Sequence, residues 1–331
     1  MRFAKLLSLC SVALLSGALS FGTAAAERLY VYTSTRESII GELKVAFTKK
    51  YPDIRIDFLL EDAGRLRAKV LAEHESGKIL ADVLWTSEVP DFYQFKDRDL
   101  LLRYTPTEIK SLINPLPDYD GSFTVARLST VGIAYNTRKI KKAPTSWNDL
   151  KKPEFKNALG IANPTLSGTA YMSVAMLSRT FGWEFFEALQ ANGAKVGRSA
   201  NQVVDDTASG KLVACLAVDY IAFDRIGKGA PLRLVYPREM LVVPGPVAIF
   251  KDSPNVEAAK KFVDFILSRE GQTILAKNGT LPVRTDVKSP KRFRQLPTVE
   301  NAIKRAIEIN YQMVMAEKEE TIKRFTLIMR K

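Results

Sequence analysis

The sequence predicts an α/β protein of about two domains, and three observations carry that expectation. The chain has 331 residues, 46% of them apolar, enough for a sizeable core and, by length, for about two domains. Between Leu29 and Trp85, runs of period two alternate with runs of helical period, in the order strand, helix, strand, helix, strand. That order builds parallel strands with helices on both faces. A third passage, Ile161 to Tyr171, starts a strand–turn–helix pattern again in the middle of the chain.

The elements follow in order. Leu29 to Tyr32 reads as a strand, closed by the loop Thr33-Ser34-Thr35-Arg36. Ile39, Ile40, Leu43, Ala46 and Phe47 recur at helical spacing, and Pro52 ends that helix. Ile54 to Phe58 alternates as the next strand, Arg65 to Glu75 is helical, and Ala81 to Trp85 is an apolar strand broken by Thr86-Ser87-Glu88. In such sheets ligands gather at the carboxyl ends of the strands, where Thr33 to Arg36 and Thr86 to Glu88 both lie. Val125 to Tyr135 reads as one long strand interrupted at Gly132, and Trp147 to Leu150 as a turn into a short helix. Leu159 to Ala162 is a strand, Phe181 to Gln190 a helix, and Asn201 to Asp206 starts another that ends near Gly210. Leu212 to Val218 is a strand delivering Asp219-Tyr220 to a sheet edge. Val242 to Phe250 is a strand despite Pro244 and Pro246, Glu257 to Leu267 is an amphipathic helix, and Glu300 to Lys331 is expected to be helical.

The ends and the charge narrow the setting. Arg2 and Lys5 precede the short apolar stretch Leu6 to Leu19 and the small-residue site Ala24-Ala25-Ala26. This is the pattern of a cleavable export signal, so residues 1–26 are set apart and a mature periplasmic chain is expected from Glu27. Cys10 follows the bulky Leu9, a poor site for lipid attachment, and the mature chain keeps only Cys215, which excludes an internal disulfide. The formal charge of +13, or +11 once Arg2 and Lys5 are lost, favours anionic ligands, anionic lipid or acidic partners. No basic repeat is interleaved with aromatics, so nucleic acid is not expected as a partner.

Ser167-Gly168-Thr169 is the stretch with the clearest chemistry. It opens a helix with small hydroxyl residues, where free N–H groups and the positive end of the helix dipole face one point. The plain alternative is an ordinary helix cap. Enzyme chemistry on phosphate wants a metal cluster or an activated nucleophile. The single histidine, His74, lies in a charged helical stretch, and Cys215 sits in an apolar strand, so neither an enzyme nor a cofactor is expected.

The loop Tyr32-Thr33-Ser34-Thr35, the segments Lys50-Tyr51-Pro52, Ala81 to Trp85, Gly132 to Asn136 and Pro164 to Ala170, and above all Ala258 to Gln272, resemble the solute-binding proteins of ABC importers. The branch is the type II periplasmic binding proteins that take ferric iron, phosphonates, thiamine and sugar phosphates, and the resemblance covers Leu29 to Asp286. It implies two α/β lobes, each a mainly parallel sheet flanked by helices, joined by crossing strands with the ligand cleft at the hinge. Residues 27–124 plus 241–331 would form the first lobe and 125–240 the second. It also implies an inner-membrane permease as partner and a monomer; a membrane sensor as partner would present the same fold.

Members of this branch that carry ferric iron hold it with His, Glu and two adjacent Tyr residues. This chain has Arg36 where the His would stand, Ser87 near the Glu position with Glu88 one step on, and Tyr220-Ile221 at the tyrosine pair. Arginine cannot ligate iron. No metal is therefore expected, with ferric iron held by a non-standard ligand set as the alternative. The surviving hydroxyl loops favour a phosphorylated or phosphonate organic anion, such as a sugar phosphate or a 2-aminoethylphosphonate-like molecule. Thr33, Ser34 and Thr35 would clamp it from one lobe and Ser167, Gly168 and Thr169 from the other. Arg36 is expected to bond the phosphoryl oxygens and Trp85 to stack on the tail. Thr86 and Ser87 would meet ligand hydroxyls, and Asp219 with Tyr220 would meet a sugar hydroxyl or an ammonium.

Overall fold

The computed structural model describes residues 27–113, 116 and 119–330. The export signal expected in residues 1–26 lies outside the described residues. The first half of the chain forms β1 (Glu27–Thr33), α1 (Glu37–Lys50), β2 (Ile54–Leu60), α2 (Ala63–Glu75), β3 (Val83–Trp85), α3 (Val89–Asp97) and the long β4 (Thr124–Asn136). A second α/β unit follows with β5 (Leu159–Ala162), α4 (Gly168–Phe181), α5 (Glu184–Ala191), β6 (Lys195–Gly197), α6 (Ala200–Ser209), β7 (Ala214–Val218), α7 (Asp219–Gly227) and β8 (Leu232–Val235). The chain returns along β9 (Leu241–Ile249) and ends in α8 (Val256–Leu267), α9 (Arg269–Lys277), α10 (Val299–Arg305), α11 (Tyr311–Ala316) and α12 (Lys318–Met329).

The strands form one sheet in the order β2-β1-β3-β9-β4-β7-β5-β6, with β8 also paired to β4. At one end β1, β2 and β3 run parallel, and at the other β5, β6 and β7 do. Antiparallel β9 and β4 join them, and they are the two crossing strands between the lobes. Both are buried along their whole length, so they read as continuous apolar runs rather than alternating ones. Pro244 and Pro246 fit in β9 although they donate nothing to the ladder.

β4 differs from expectation in two ways. It is not interrupted at Gly132: a Cβ there would stand 2.5 Å from the Val235 carbonyl oxygen, so this glycine admits the close approach of β8. Its irregularity falls earlier, as a bulge between Val125 and Arg127. The helix expected over Phe181 to Gln190 is divided, because Gly182 takes φ 75° and ends α4. Asp219 and Tyr220 do not lie on a sheet edge but begin α7.

The C-terminal region is not one helix. Ala306 pairs with Met240 as a bridge, and the backbone bonds Met240 N to Arg305 O and Ile307 N to Met240 O hold it extended between α10 and α11. α11 then packs on α3 of the first lobe, while α12 packs on α4 and α5 of the second, with Phe325 edge-on to Phe186 at 5.3 Å. α12, which the expected boundary gives to the first lobe, thus touches both lobes, packing on α4 and α5 and pairing through Lys318 with Glu88 and Asp91.

Candidate ligand-binding site

Carboxyl ends of the parallel strands and helix N-termini meet at one place between the lobes. A cavity of ≈ 60 Å³ opens there. From the first lobe it is lined by Ser34, Asp62, Ala63 and Ser87, and from the second by Leu166, Ser167, Gly168 and Thr169, by Ser199, Ala200 and Asn201, and by Tyr220 and Ile221. The second-lobe residues are the openings of α4, α6 and α7. Ser167 caps α4 by accepting from Ala170 N at 3.3 Å, and its hydroxyl meets that of Thr169 at 3.1 Å. Ser199 caps α6 by accepting from Gln202 N at 3.2 Å. Three helix dipoles thus aim their positive ends into a small space.

The walls are close. A Cβ on Gly168 would lie 2.9 Å from Glu88 Oε2 and 3.0 Å from the Ser87 carbonyl, and one on Gly64 would lie 2.3 Å from the Thr165 carbonyl. Both glycines let a helix start in one lobe touch a loop of the other, so the cleft is closed.

Several expected residues take other duties. The Thr33 hydroxyl donates to the Trp85 carbonyl at 2.7 Å and accepts from Thr35 N, tying the ends of β1 and β3 together. Arg36 turns away from the cavity and pairs with Asp224 of α7 at 3.1 Å, a contact across the lobes. Trp85 is fully buried and does not line the cavity. Asp219 is fully buried and already saturated: its carboxylate accepts from Thr130 N at 2.7 Å, Thr130 Oγ1 at 2.9 Å and Tyr220 N at 2.7 Å. Burial pushes its carboxyl up to about 7 against the pull of those bonds and of Arg127. Thr35 and Thr86, which follow or precede the cavity-lining Ser34 and Ser87 in the chain, are buried, and among the described residues their hydroxyls have no hydrogen-bond partner.

Besides Ser199, two charged residues of the site escaped sequence reasoning. The first is Arg127, on β4 at the bulge and fully buried. Its guanidinium donates to Ser129 Oγ at 3.0 Å and to Ser87 Oγ at 2.9 Å, lies over the Tyr220 ring at 4.9 Å, and leaves Nε without a partner. No carboxylate forms an ion pair with it among the described residues, a costly arrangement unless an anion arrives. Because Ser87 Oγ accepts from Arg127, its own O–H remains available to donate. The second is Asp62, a cavity-lining residue at the start of α2.

Next to the site lies a buried charge cluster. Lys318 of α12 pairs with Glu88, and with Asp91 at 2.7 Å, while Arg67 of α2 lies 3.4 Å from Asp91. The ammonium also stands 5.3 Å from the Tyr171 ring centroid. Burial, then the neighbouring Asp91, pushes Glu88 up to about 7, against the pull of Lys318 and Arg67. Cys215 is buried on β7 and its thiol is pushed up to about 12 by burial, while His74 is exposed on α2. Among the described residues no group of three His, Cys, Asp or Glu side chains is arranged to hold a metal.

Residues 78–301 match the sequence profile of a family described as bacterial extracellular solute-binding protein. The chain belongs to that family. An uncharacterized protein of Haemophilus influenzae is 30% identical over 315 residues, covering 88% of this chain and 90% of its own. A protein of Salmonella typhi, provisionally named as a 2-aminoethylphosphonate-binding periplasmic protein, is 30% identical over 261 residues, 73% of each chain. The solved structure of the periplasmic binding protein AfuA from Actinobacillus pleuropneumoniae, with fructose 6-phosphate bound, superposes with a TM-score of 0.82 at 25% identity, covering 92% of this chain and 99% of that one. The fold is therefore that of a two-lobed type II periplasmic binding protein, and the named relatives are binding proteins.

Proposed function

We propose that this protein is the periplasmic binding component of an ABC importer for an organic anion bearing a phosphoryl or phosphonate group. The observation that carries this is the cavity itself: hydroxyls from both lobes and three helix openings converge in front of a buried arginine that forms no ion pair among the described residues. A phosphoryl group offers acceptor oxygens on all sides, which is the complement of that wall. In this reading Ser34 and Ser87 hold the anion from the first lobe, Ser167, Gly168 and Thr169 hold it from the second, and Tyr220 closes the side. Thr35 and Thr86 stand behind them. Arg127 supplies the charge through Ser87. The relatives that take 2-aminoethylphosphonate and fructose 6-phosphate support the ligand class. Work of this kind is non-covalent: the protein binds, closes, docks on an inner-membrane permease and releases.

The test is a thermal-shift screen of the mature chain against hexose phosphates, glycerol phosphates, phosphonates, inorganic phosphate, thiamine and ferric citrate. A ligand that binds only the folded state raises the midpoint by mass action. A rise confined to phosphoryl and phosphonate compounds is expected. A rise with ferric ion alone, or with none of the anions, refutes the proposal.

A further inference from the structure

Asp62 stands where an anion site should not hold a carboxylate. It is the N-cap residue of α2, a position in which aspartate ordinarily accepts a bond from its own helix. Here it makes no cap bond: Arg65 N and Leu66 N both bond the Asp62 backbone carbonyl, and Asp62 is one of the residues that line the cavity. Among the described residues its carboxylate has no hydrogen bond or ion pair. The other acids nearby are committed, Asp219 to Thr130 and Tyr220, and Glu88 to Lys318. A free carboxylate beside a bound phosphoryl group repels it, unless the far end of the ligand brings a cation to meet it.

Size points the same way. The cavity is small, ≈ 60 Å³, which favours a phosphoryl group with a short tail over one with a bulky tail. Asp62 also sits next to Gly64, where the α2 opening touches the Thr165 carbonyl, so the tail would be enclosed where the two walls meet.

We propose that Asp62 determines tail specificity in this cleft, pairing with an ammonium at the end of a short alkyl phosphonate or phosphate. The inference rests on the anion reading above and goes on to assign the opposite end of the ligand. The hydroxyls and helix openings take the phosphoryl group, and Asp62 takes the amine at the far end.

The test is isothermal titration of the mature protein with 2-aminoethylphosphonate, with propylphosphonate, which puts a methyl group in place of the ammonium, and with glucose 6-phosphate. The wild type should prefer the amine over its methyl counterpart by more than about tenfold. Asp62→Asn keeps a good helix cap and should bring the two within about threefold by weakening the amine alone. A wild-type ratio near one, an unchanged ratio in the variant, or tighter binding of glucose 6-phosphate would each overturn the assignment of Asp62 while leaving the anion site intact. Failure of all three, and of inorganic phosphate, would overturn the anion reading beneath it.

Discussion

Replacing Arg127 by methionine should separate folding from binding, because the two depend on its charge with opposite sign. Ser87 Oγ lies 2.9 Å from Arg127 Nη2. One further hydrogen bond of about 2.7 Å to a phosphoryl oxygen places the charges about 6 Å apart. At an effective dielectric of about 20, unit charges at that distance attract by about 3 kcal/mol, or about 100-fold in Kd. In the ligand-free protein the same charge is a burden. Burying it costs several kcal/mol, and its two bonds to serine hydroxyls return about 1.5–3 kcal/mol each. Arg127→Met should therefore leave the ligand-free melting midpoint within a few degrees of wild type while weakening a phosphoryl ligand by about two orders of magnitude. Titration calorimetry reads the second quantity and a melting scan the first. Affinity within about threefold of wild type in a folded variant would refute the use of this charge. A large fall in the ligand-free midpoint would show that the arginine serves the fold.

Lys318→Met should destabilise the fold by about 3–5 kcal/mol, since it strands the buried Glu88 and Asp91 carboxylates without their shared cation; an unchanged melting midpoint would mean the cluster contributes nothing. Stability should also peak near pH 5. Glu88 and Asp219 are both pushed up to about 7 by burial, so between the ordinary carboxylate range and pH 7 the unfolded chain releases protons that the native one keeps, and stability falls as pH rises. On the acid side, Asp149, held down by Lys152, and Asp286, held down by Arg284, add stability that is lost as pH falls through their range. Melting scans across this range check the peak, and a midpoint that climbs steadily from pH 5 to 8 would contradict it.

Most of the fold was legible because periodicity and breakers are local. The alternation in β2, the helical spacing in α1 and α8, and the stop at Gly210, which takes φ 85°, each follow from a few adjacent residues. What failed depended on distant partners. No proline or glycine marks the break between α10 and α11; it is made by Met240, whose backbone pairs with Arg305 and Ile307 and overrides their helical preference. Gly132 looked like an interruption because the strand that needs its bare Cα, β8, lies far along the chain.

The candidate site divides along the same line, and the division says something about how the cleft works. Its hydroxyls were visible because a Ser-Gly-Thr opening is a signal in itself. Its charge was not, since Arg127 reaches Ser87, 40 residues earlier in the chain, only by way of a bulge, and Arg36 finds Asp224, 188 residues later, only when the lobes meet. Apart from Asp62, the polar groups that line the cavity are neutral, and water satisfies such groups cheaply. Arg127 sits on β4, one of the two strands that run through both lobes, so a hinge motion carries it least. In the proposed reading its field reaches the anion from the strands that join the lobes, whereas the hydroxyls reach it from both sides.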